Sequence, residues 1–510
     1  MLTQLKAMVV VLFIALVMFS VAKPVCLRFM SADDFVRRRN IWLALTLAAF
    51  ITPNFWLYVL VALPLLAWGG QRDSNPLALY LLMLHVVPPI AVELPVIGVN
   101  QLFDLNQYRI LSVAVLVPML WRIGRDSRLG TARAMTLTDG LLLGYVLLQL
   151  AMPIPYETVT NTMRRGFLVW LDVLLLYQVV SRGLTTRRDL VDAIAAFVLA
   201  SAIAVPIAAF EAVKGWLLYQ SIGDTWGAPI SFAFLMRGDS LRAQASAGHA
   251  LALGYMLAVA FGGWLYLRTL VRRPRWSWGV ALWMWLGMVA AYSRGPWLVA
   301  IVVFLAYMGY GNGAVAKLSK LACICVIVVG GLLVSPLGAS ILSYVPFGNI
   351  DAYNVTYRQR LTEVSWQLVM QKPWLGDLFV MNKMEELRQG QGIIDLVNTY
   401  AGVALFHGLI GLSLFVGFFF SAIWKVHRMV LTVERYDDDL ARLGAMLVAC
   451  LIGTMFMMAT GSFGTGLAQM AWVLGAMAVA YSRLAAASLV PRAQAAQRPG
   501  VAGPYPVRQA

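Results

Sequence analysis

Charged side chains are scarce in this chain: 13% of its 510 residues are Asp, Glu, Lys or Arg, 60% are hydrophobic, and the mean hydropathy is +0.74. A soluble globular domain has about a quarter of its residues charged, so that class is excluded. Cysteine is sparse too. Cys26, Cys323, Cys325 and Cys450 lie in or beside apolar runs, a placement that points to neither a disulfide framework nor a zinc site. No metal and no other cofactor is expected. No repeat relates one half of the chain to the other and no pair of matching broken helices stands out, which argues against a transporter built from inverted repeats.

What is present is a succession of apolar runs near the ~20 residues needed to cross a ~30 Å hydrocarbon layer. They fall near 5–25, 41–68, 76–92, 107–121, 136–152, 165–181, 189–211, 249–267, 276–292, 295–310, 320–335, 400–424, 442–460 and 465–483. The expected fold class is all-α, a polytopic transmembrane helix bundle of about 12–15 spans, because helices satisfy their own backbone in lipid. "TPN" at 52–54 divides the long second run into two short helices. The opening 26 residues lack a small-residue cleavage pattern and read as a retained first helix. Four units follow: an N-terminal bundle over 1–335, a large loop over 336–399, C-terminal helices over 400–484, and a tail over 485–510. The Pro, Ala and Arg-rich tail is expected to be disordered on the cytoplasmic side.

Loop charge sets the orientation. "SRGLTTRRDL" is net +2, "RTLVRRPR" net +4 and "WRIGRDSRLGTAR" net +3, and these are assigned to the cytoplasm. The net charge of +16 is thereby a topology signal, and no nucleic-acid partner is implied. Residues 91–106, 153–164, 212–248 and 336–399 then face the opposite side.

Some arginines lie on that side, where the charge rule disfavours them. Arg164 and Arg165 open a span, Arg237 and Arg242 precede another, Arg294 sits at a tight turn in "AYSRGPW", and Arg358, Arg360 and Arg388 occupy the large loop. Each alone reads equally as a loop charge or a helix-end anchor. As a set they mark a site, because charge near the membrane is costly. Arginine forks match phosphate oxygens, so the ligand class is a lipid-linked phosphate or pyrophosphate. Within the loop, "NVTYRQRLTEVSWQLVMQKPWLGD" spaces Leu361, Val364 and Leu368 as an amphipathic helix, with Trp366 and Val369 one position further round. Arg360, Glu363 and Gln367 share a face and Arg358 points elsewhere. "MNKMEELRQGQG" reads as a second short helix ended by Gly390 and Gly392.

Taken in order, "MRRGFLVWLDVLLLY", "LRAQASAGHALALG", "AYSRGPWL", "YRQRL…W…KPWLG" and "DLVNTYAGVALFHGLIGL" resemble the O-antigen ligase and O-antigen polymerase superfamily of bacterial surface-polysaccharide enzymes. The resemblance covers roughly residues 160 to 420. It implies an inner-membrane glycosyltransferase working on the periplasmic face. The donor would be an undecaprenyl-pyrophosphate-linked oligosaccharide, with no nucleotide sugar and no metal. Its partners would be that lipid-linked glycan, membrane lipid, and polysaccharide export and chain-length proteins. By position, Arg164 or Arg165, Arg242, Arg358 and Arg360 match the family's phosphate-handling arginines, with Arg294 beside them, and Asn398 matches an asparagine that opens the span after the large loop. The ligases carry a histidine immediately before that asparagine, and here the residue is Val397. That departure favours a polymerase over a ligase.

A base to accept the acceptor's hydroxyl proton adds about 10²- to 10⁴-fold. The candidates are Asp395, His249 and Glu363. Asp395 reads equally as a helix N-cap, His249 as an interfacial polar residue at a helix start, and His407 as a packed core histidine. His85 and His427 carry no signal. Trp366 and Trp374 fit an interfacial belt or a sugar-stacking role. A transporter or flippase for the same glycan is the reading from another class, and spans that are nearly charge-free, with the unusual charges gathered on one side, argue against it.

Overall fold

The computed structural model describes residues 2–94, 103–125, 134–228, 235–237, 240–271, 274–311, 352–389, 394–462 and 466–497, with isolated positions at 313, 314, 316, 319, 320 and 464. Residues 321–335 of the expected span at 320–335, the loop over 336–351, and Gly390 and Gly392 lie outside the described residues.

The described residues form a helix bundle, 80% helical with almost no strand. The helices are α1 (Leu2–Cys26), α2 (Ala32–Ile51), α3 (Phe55–Arg72), α4 (Pro76–Met83), α5 (Gln107–Leu111), α6 (Val117–Arg125), α7 (Leu137–Ala151), α8 (Val159–Val169), α9 (Leu176–Gly183) and α10 (Arg187–Lys214). They continue with α11 (Gln220–Trp226), α12 (Ala250–Leu267), α13 (Pro274–Ala290), α14 (Arg294–Met308), α15 (Ala352–Gln371), α16 (Thr399–Val433), α17 (Asp438–Thr460) and α18 (Leu467–Gln497). Two antiparallel pairs, Val92–Glu93 with Asp104–Leu105 and Met236–Arg237 with Ser240–Leu241, close short loops. Eight helices among the described residues are long and apolar enough to cross a membrane: α1, α7, the α8–α9 unit, α10, α12, α16, α17 and α18. The helices α13 and α14 are apolar but shorter.

Local chemistry explains the boundaries. Thr52 and Pro53 end α2, and Asn54 accepts the Leu57 N–H to start α3, so the 41–68 run is two helices as "TPN" indicated. Thr136 with Asp139 and Thr186 with Asp189 form reciprocal capping boxes at α7 and α10. The 76–92 run is not a span. Its helix stops at Met83, ahead of Pro88–Pro89, which lack N–H donors and restrict the residue before them. Turns of π-helix at Ser112–Leu116 and Trp170–Leu175 interrupt the α5–α6 segment and the α8–α9 span, and Arg109 joins the two by pairing with Asp172 at 2.7 Å. The tail departs from expectation over 485–497: α18 runs on to Gln497, because "LAAASLVPRAQAAQ" is rich in alanine, the best helix former. Residues 498–510 are outside the described set.

The helices alternate in direction, giving the bundle two unlike ends. One end gathers Arg28, Arg38, Arg187, Arg188, Arg442 and Arg483, and the other joins the α1 start to the α2 end through Gln4 and Phe50 at 2.8 Å. A second small core lies at the arginine-poor end. There Leu361, Val364 and Val369 of α15 pack with Met384, Leu387, Ala404 and Leu405, so the loop helix sits on the first turns of α16. Trp366 is on the exposed side of α15 rather than the packed face, and "MNKMEEL" forms two 3-10 turns, Val380–Lys383 and Glu385–Leu387, in place of one helix.

Candidate functional site

At the arginine-poor end, stretches far apart in sequence meet. The Ala243 N–H donates to the Ala290 carbonyl at 3.1 Å and Arg242 Nη2 donates to Ser293 Oγ at 3.3 Å, which ties the segment before α12 to the turn between α13 and α14. Arg242 and Arg294 thus belong to one locale, both half-buried. The turn between α17 and α18 completes it. Thr399 Oγ1 donates to the Gly461 carbonyl at 2.8 Å, a Cβ at Gly461 would stand 3.2 Å from Leu251, and one at Gly295 would stand 3.5 Å from Thr460 Oγ1. Asn398, His249 and Arg294 therefore each adjoin a residue packed on Thr460–Gly461.

The backbone here is strained. Ala245 (φ 45°) and Tyr292 (φ 44°) are the non-glycine residues with left-handed backbone among the described residues, and both lie in these two turns. Such conformations cost about 1–3 kcal/mol and persist where surrounding contacts impose them. The contact responsible at Ala245 is Glu211, a buried carboxylate in the last turn of α10. It accepts N–H bonds from Leu218 (3.0 Å), Gln244 (2.9 Å) and Ala245 (2.8 Å). Sequence reading missed Glu211, although a lone acid closing an apolar run was the available signal.

His249 caps α12, its Nδ1 accepting the Leu251 N–H at 3.1 Å. Burial, with Arg242 adding to it, pushes its imidazole down to about 4, so the ring is neutral at ordinary pH. Asn398 caps α16 by accepting from Tyr400 and Ala401, so the N-cap role falls to Asn398 and not to Asp395. Asp395 is half-buried, with its backbone N–H and carbonyl both held by the Tyr357 hydroxyl at 3.1 Å. Burial raises its carboxyl above the ordinary aspartate value, and the nearby Arg358 charge opposes that rise.

Arg360 and Glu363 fall elsewhere. They face solvent and pair with each other at 3.3 Å, and Arg360 also reaches Glu386 at 3.2 Å. The helical phase that buries Leu361 and Val364 turns Arg360 outward, so Arg360 does not point into the bundle as an inward clamp and Glu363 is not beside the other candidates. Arg358 is exposed on the same helix, and its charge acts on Asp395. Arg164 and Arg165 lie in the second turn of α8 instead of opening the span, and Arg165 pairs with Glu157.

His407 is not a simple core histidine. It precedes Gly408, where α16 breaks (φ 64°, ψ −168°), and its ring meets Tyr145 edge-on at 5.9 Å. Its Nδ1 is buried without a hydrogen-bond partner, and the Arg165 charge reaches it. The segment "KPWLGD" fills the break: Leu409 N–H donates to the Pro373 carbonyl (2.7 Å), Ile410 N–H to that of Trp374 (3.2 Å), and Asp377 N–H to that of Leu405 (2.8 Å). Irregular backbone at membrane depth is tolerated where protein or water satisfies it. Among the described residues no group of His, Cys, Asp and Glu is arranged to hold a metal ion.

Arg242 and Arg294, set by a strained backbone, are suited to holding an oxyanion, and Asp395, three residues before the α16 cap Asn398, carries a carboxyl suited to taking up a proton. Comparison of the chain with protein-family models and with curated proteins returned no match.

Proposed function

We propose that this membrane protein is a metal-independent glycosyltransferase that polymerises undecaprenyl-pyrophosphate-linked oligosaccharide repeats at the arginine-poor end of the bundle. The reading rests on one convergence: "LRAQASAGH", "SRGPW" and "VNTY", drawn from three distant parts of the chain, meet around Thr460–Gly461. Loop charge supports placing that end on the side away from the cytoplasm and the C-terminus in the cytoplasm, and the resemblance to the O-antigen superfamily supports the bacterial inner membrane, with that end in the periplasm.

In this reading Arg242 and Arg294 hold the donor pyrophosphate, with Arg358 at the mouth and Arg165 beside the α16 break. Fixed guanidinia stabilise the charge that develops as the bond from the anomeric carbon to the pyrophosphate oxygen breaks. Asp395 takes the proton from the acceptor hydroxyl as that oxygen bonds to the same carbon. Undecaprenyl pyrophosphate leaves as an anion and needs no general acid.

The test is product analysis with purified protein in nanodiscs, given only an undecaprenyl-pyrophosphate oligosaccharide and no metal. A ladder of longer lipid-linked chains is expected. Transfer only when a lipid A-core acceptor is added would replace the polymerase by a ligase. Translocation of the lipid-linked glycan without any new glycosidic bond would replace it by a transporter.

A further inference from the structure

We propose that the arginine-rich end carries a binding groove for an anionic phospholipid, whose headgroup phosphate sits between Arg28 and Arg188. The groove, of about 520 Å³, lies between the α1–α2 turn and the start of α10. Its rim holds Arg28, Arg187 and Arg188, and its floor is apolar, with Phe29 and Met30 buried and Leu270 beside them.

The arginines of this end are not alike. Arg187 is tied to Asp439 at 3.1 Å and Asp437 at 3.6 Å, Arg37 to Asp34 at 2.6 Å, and Arg442 to Asp438 at 2.5 Å. Arg28 and Arg188 are exposed, and among the described residues neither has a carboxylate within ion-pair distance. Two unpaired guanidinia facing one groove repel each other, and an anion between them relieves that repulsion with paired hydrogen bonds.

A lipid fits better than free phosphate because five of the eight lining residues, Leu27, Phe29, Met30, Val191 and Leu270, are apolar. On α1, Val9, Phe13, Val17 and Val21 form an exposed apolar stripe at helical spacing, and Leu27 at the groove continues it. Lipid-facing surface therefore leads into the groove, so an acyl chain lies along α1 while the phosphate reaches the arginines. Each basic side chain near an anionic leaflet adds to the attraction for its lipids. This inference stands apart from the glycosyltransferase reading and uses none of its residues.

The experiment uses the full chain in phosphatidylcholine nanodiscs doped with phosphatidylglycerol, followed by native mass spectrometry of lipid retained after release. Wild type is expected to retain phosphatidylglycerol over phosphatidylcholine, and the double variant Arg28→Ala, Arg188→Ala to lose that preference by roughly tenfold, the factor that 1.4 kcal/mol represents. The variant Arg442→Ala, which removes a paired cation from the same end, is expected to keep it. Equal retention by wild type and the double variant would overturn the proposal. So would an equal loss in Arg442→Ala, which would mean diffuse surface charge, or displacement of the lipid by inorganic phosphate alone. Both substituted arginines are exposed, and a monodisperse elution profile confirms that the fold survives.

Discussion

Two titratable side chains of the site share its locale but not its chemistry. Asp395 is free to act through its carboxylate, whereas the Nδ1 lone pair of His249 is already spent on the Leu251 N–H. Burial holds the proton on Asp395 to higher pH than on an ordinary aspartate, so the base form is lost on acidification sooner than usual. The acid limb of kcat/KM for chain elongation should therefore lie above the ordinary aspartate range, and Asp395→Asn should lower kcat by about 10²- to 10⁴-fold and remove the limb. His249 works the other way. Its folded pKa of about 4 lies below the ordinary 6.5, so the unfolded chain takes up the proton first and stability falls as pH drops from 6.5 toward 4. His249→Asn keeps a capping oxygen, should keep elongation activity, and should flatten that acid-side loss in thermal unfolding; His249→Ala should cost about 0.5–2 kcal/mol. Loss of activity in a folded His249→Asn protein would transfer the base role to the histidine.

At the scale of elements, the break in α16 is the feature most consequential for the site and the least visible in sequence. Gly376 has φ 71°, and a Cβ there would stand 2.5 Å from the Leu405 carbonyl oxygen, a backbone atom that cannot rotate away. Gly376→Ala should therefore cost about 1–3 kcal/mol and speed hydrogen exchange at the Asp377, Leu409 and Ile410 amides. Gly402→Ala, whose Cβ would meet only the Leu396 side chain at 3.6 Å, should be neutral or stabilising by up to about 1 kcal/mol. Unchanged exchange in Gly376→Ala would mean that "KPWLGD" does not hold the break. Sequence showed what local chemistry decides: the "TPN" division, the α15 face of Leu361 and Val364, and the turn at Arg294. It could not show the break, because Gly408 sits in an unbroken apolar run and its partners lie some thirty residues earlier. Pro88–Pro89 did announce the end of the 76–92 run, but hydropathy outweighed them. Arg360 was assigned by its place in a motif, and only the packing of α15 fixed which way it points.

For the whole molecule, counting charge separates the two ends of the bundle but does not reveal which charges are buried. Arg38 is 1% exposed at its side chain and lies between Asp73 (2.7 Å) and Asp192 (2.6 Å), whose side chains are 0% and 7% exposed. Asn75 adds its amide to Asp192 and its backbone N–H to Asp73. One guanidinium thus joins α2, the α3–α4 turn and α10. A buried pair gains little over an apolar replacement, but removing one partner strands the others, at about 3–5 kcal/mol. Arg38→Met leaves two buried carboxylates facing each other and should lower the thermal unfolding midpoint sharply in nanodiscs. Adding Asp73→Asn and Asp192→Asn removes both stranded charges and should restore most of that loss, since the amide oxygens can still accept from Asn75. An Arg38→Met protein as stable as wild type would mean that the cluster is hydrated and does not clamp the three elements. A triple variant no better than Arg38→Met would mean that the guanidinium's directed bonds, and not the balance of charge, hold the arginine-rich end together.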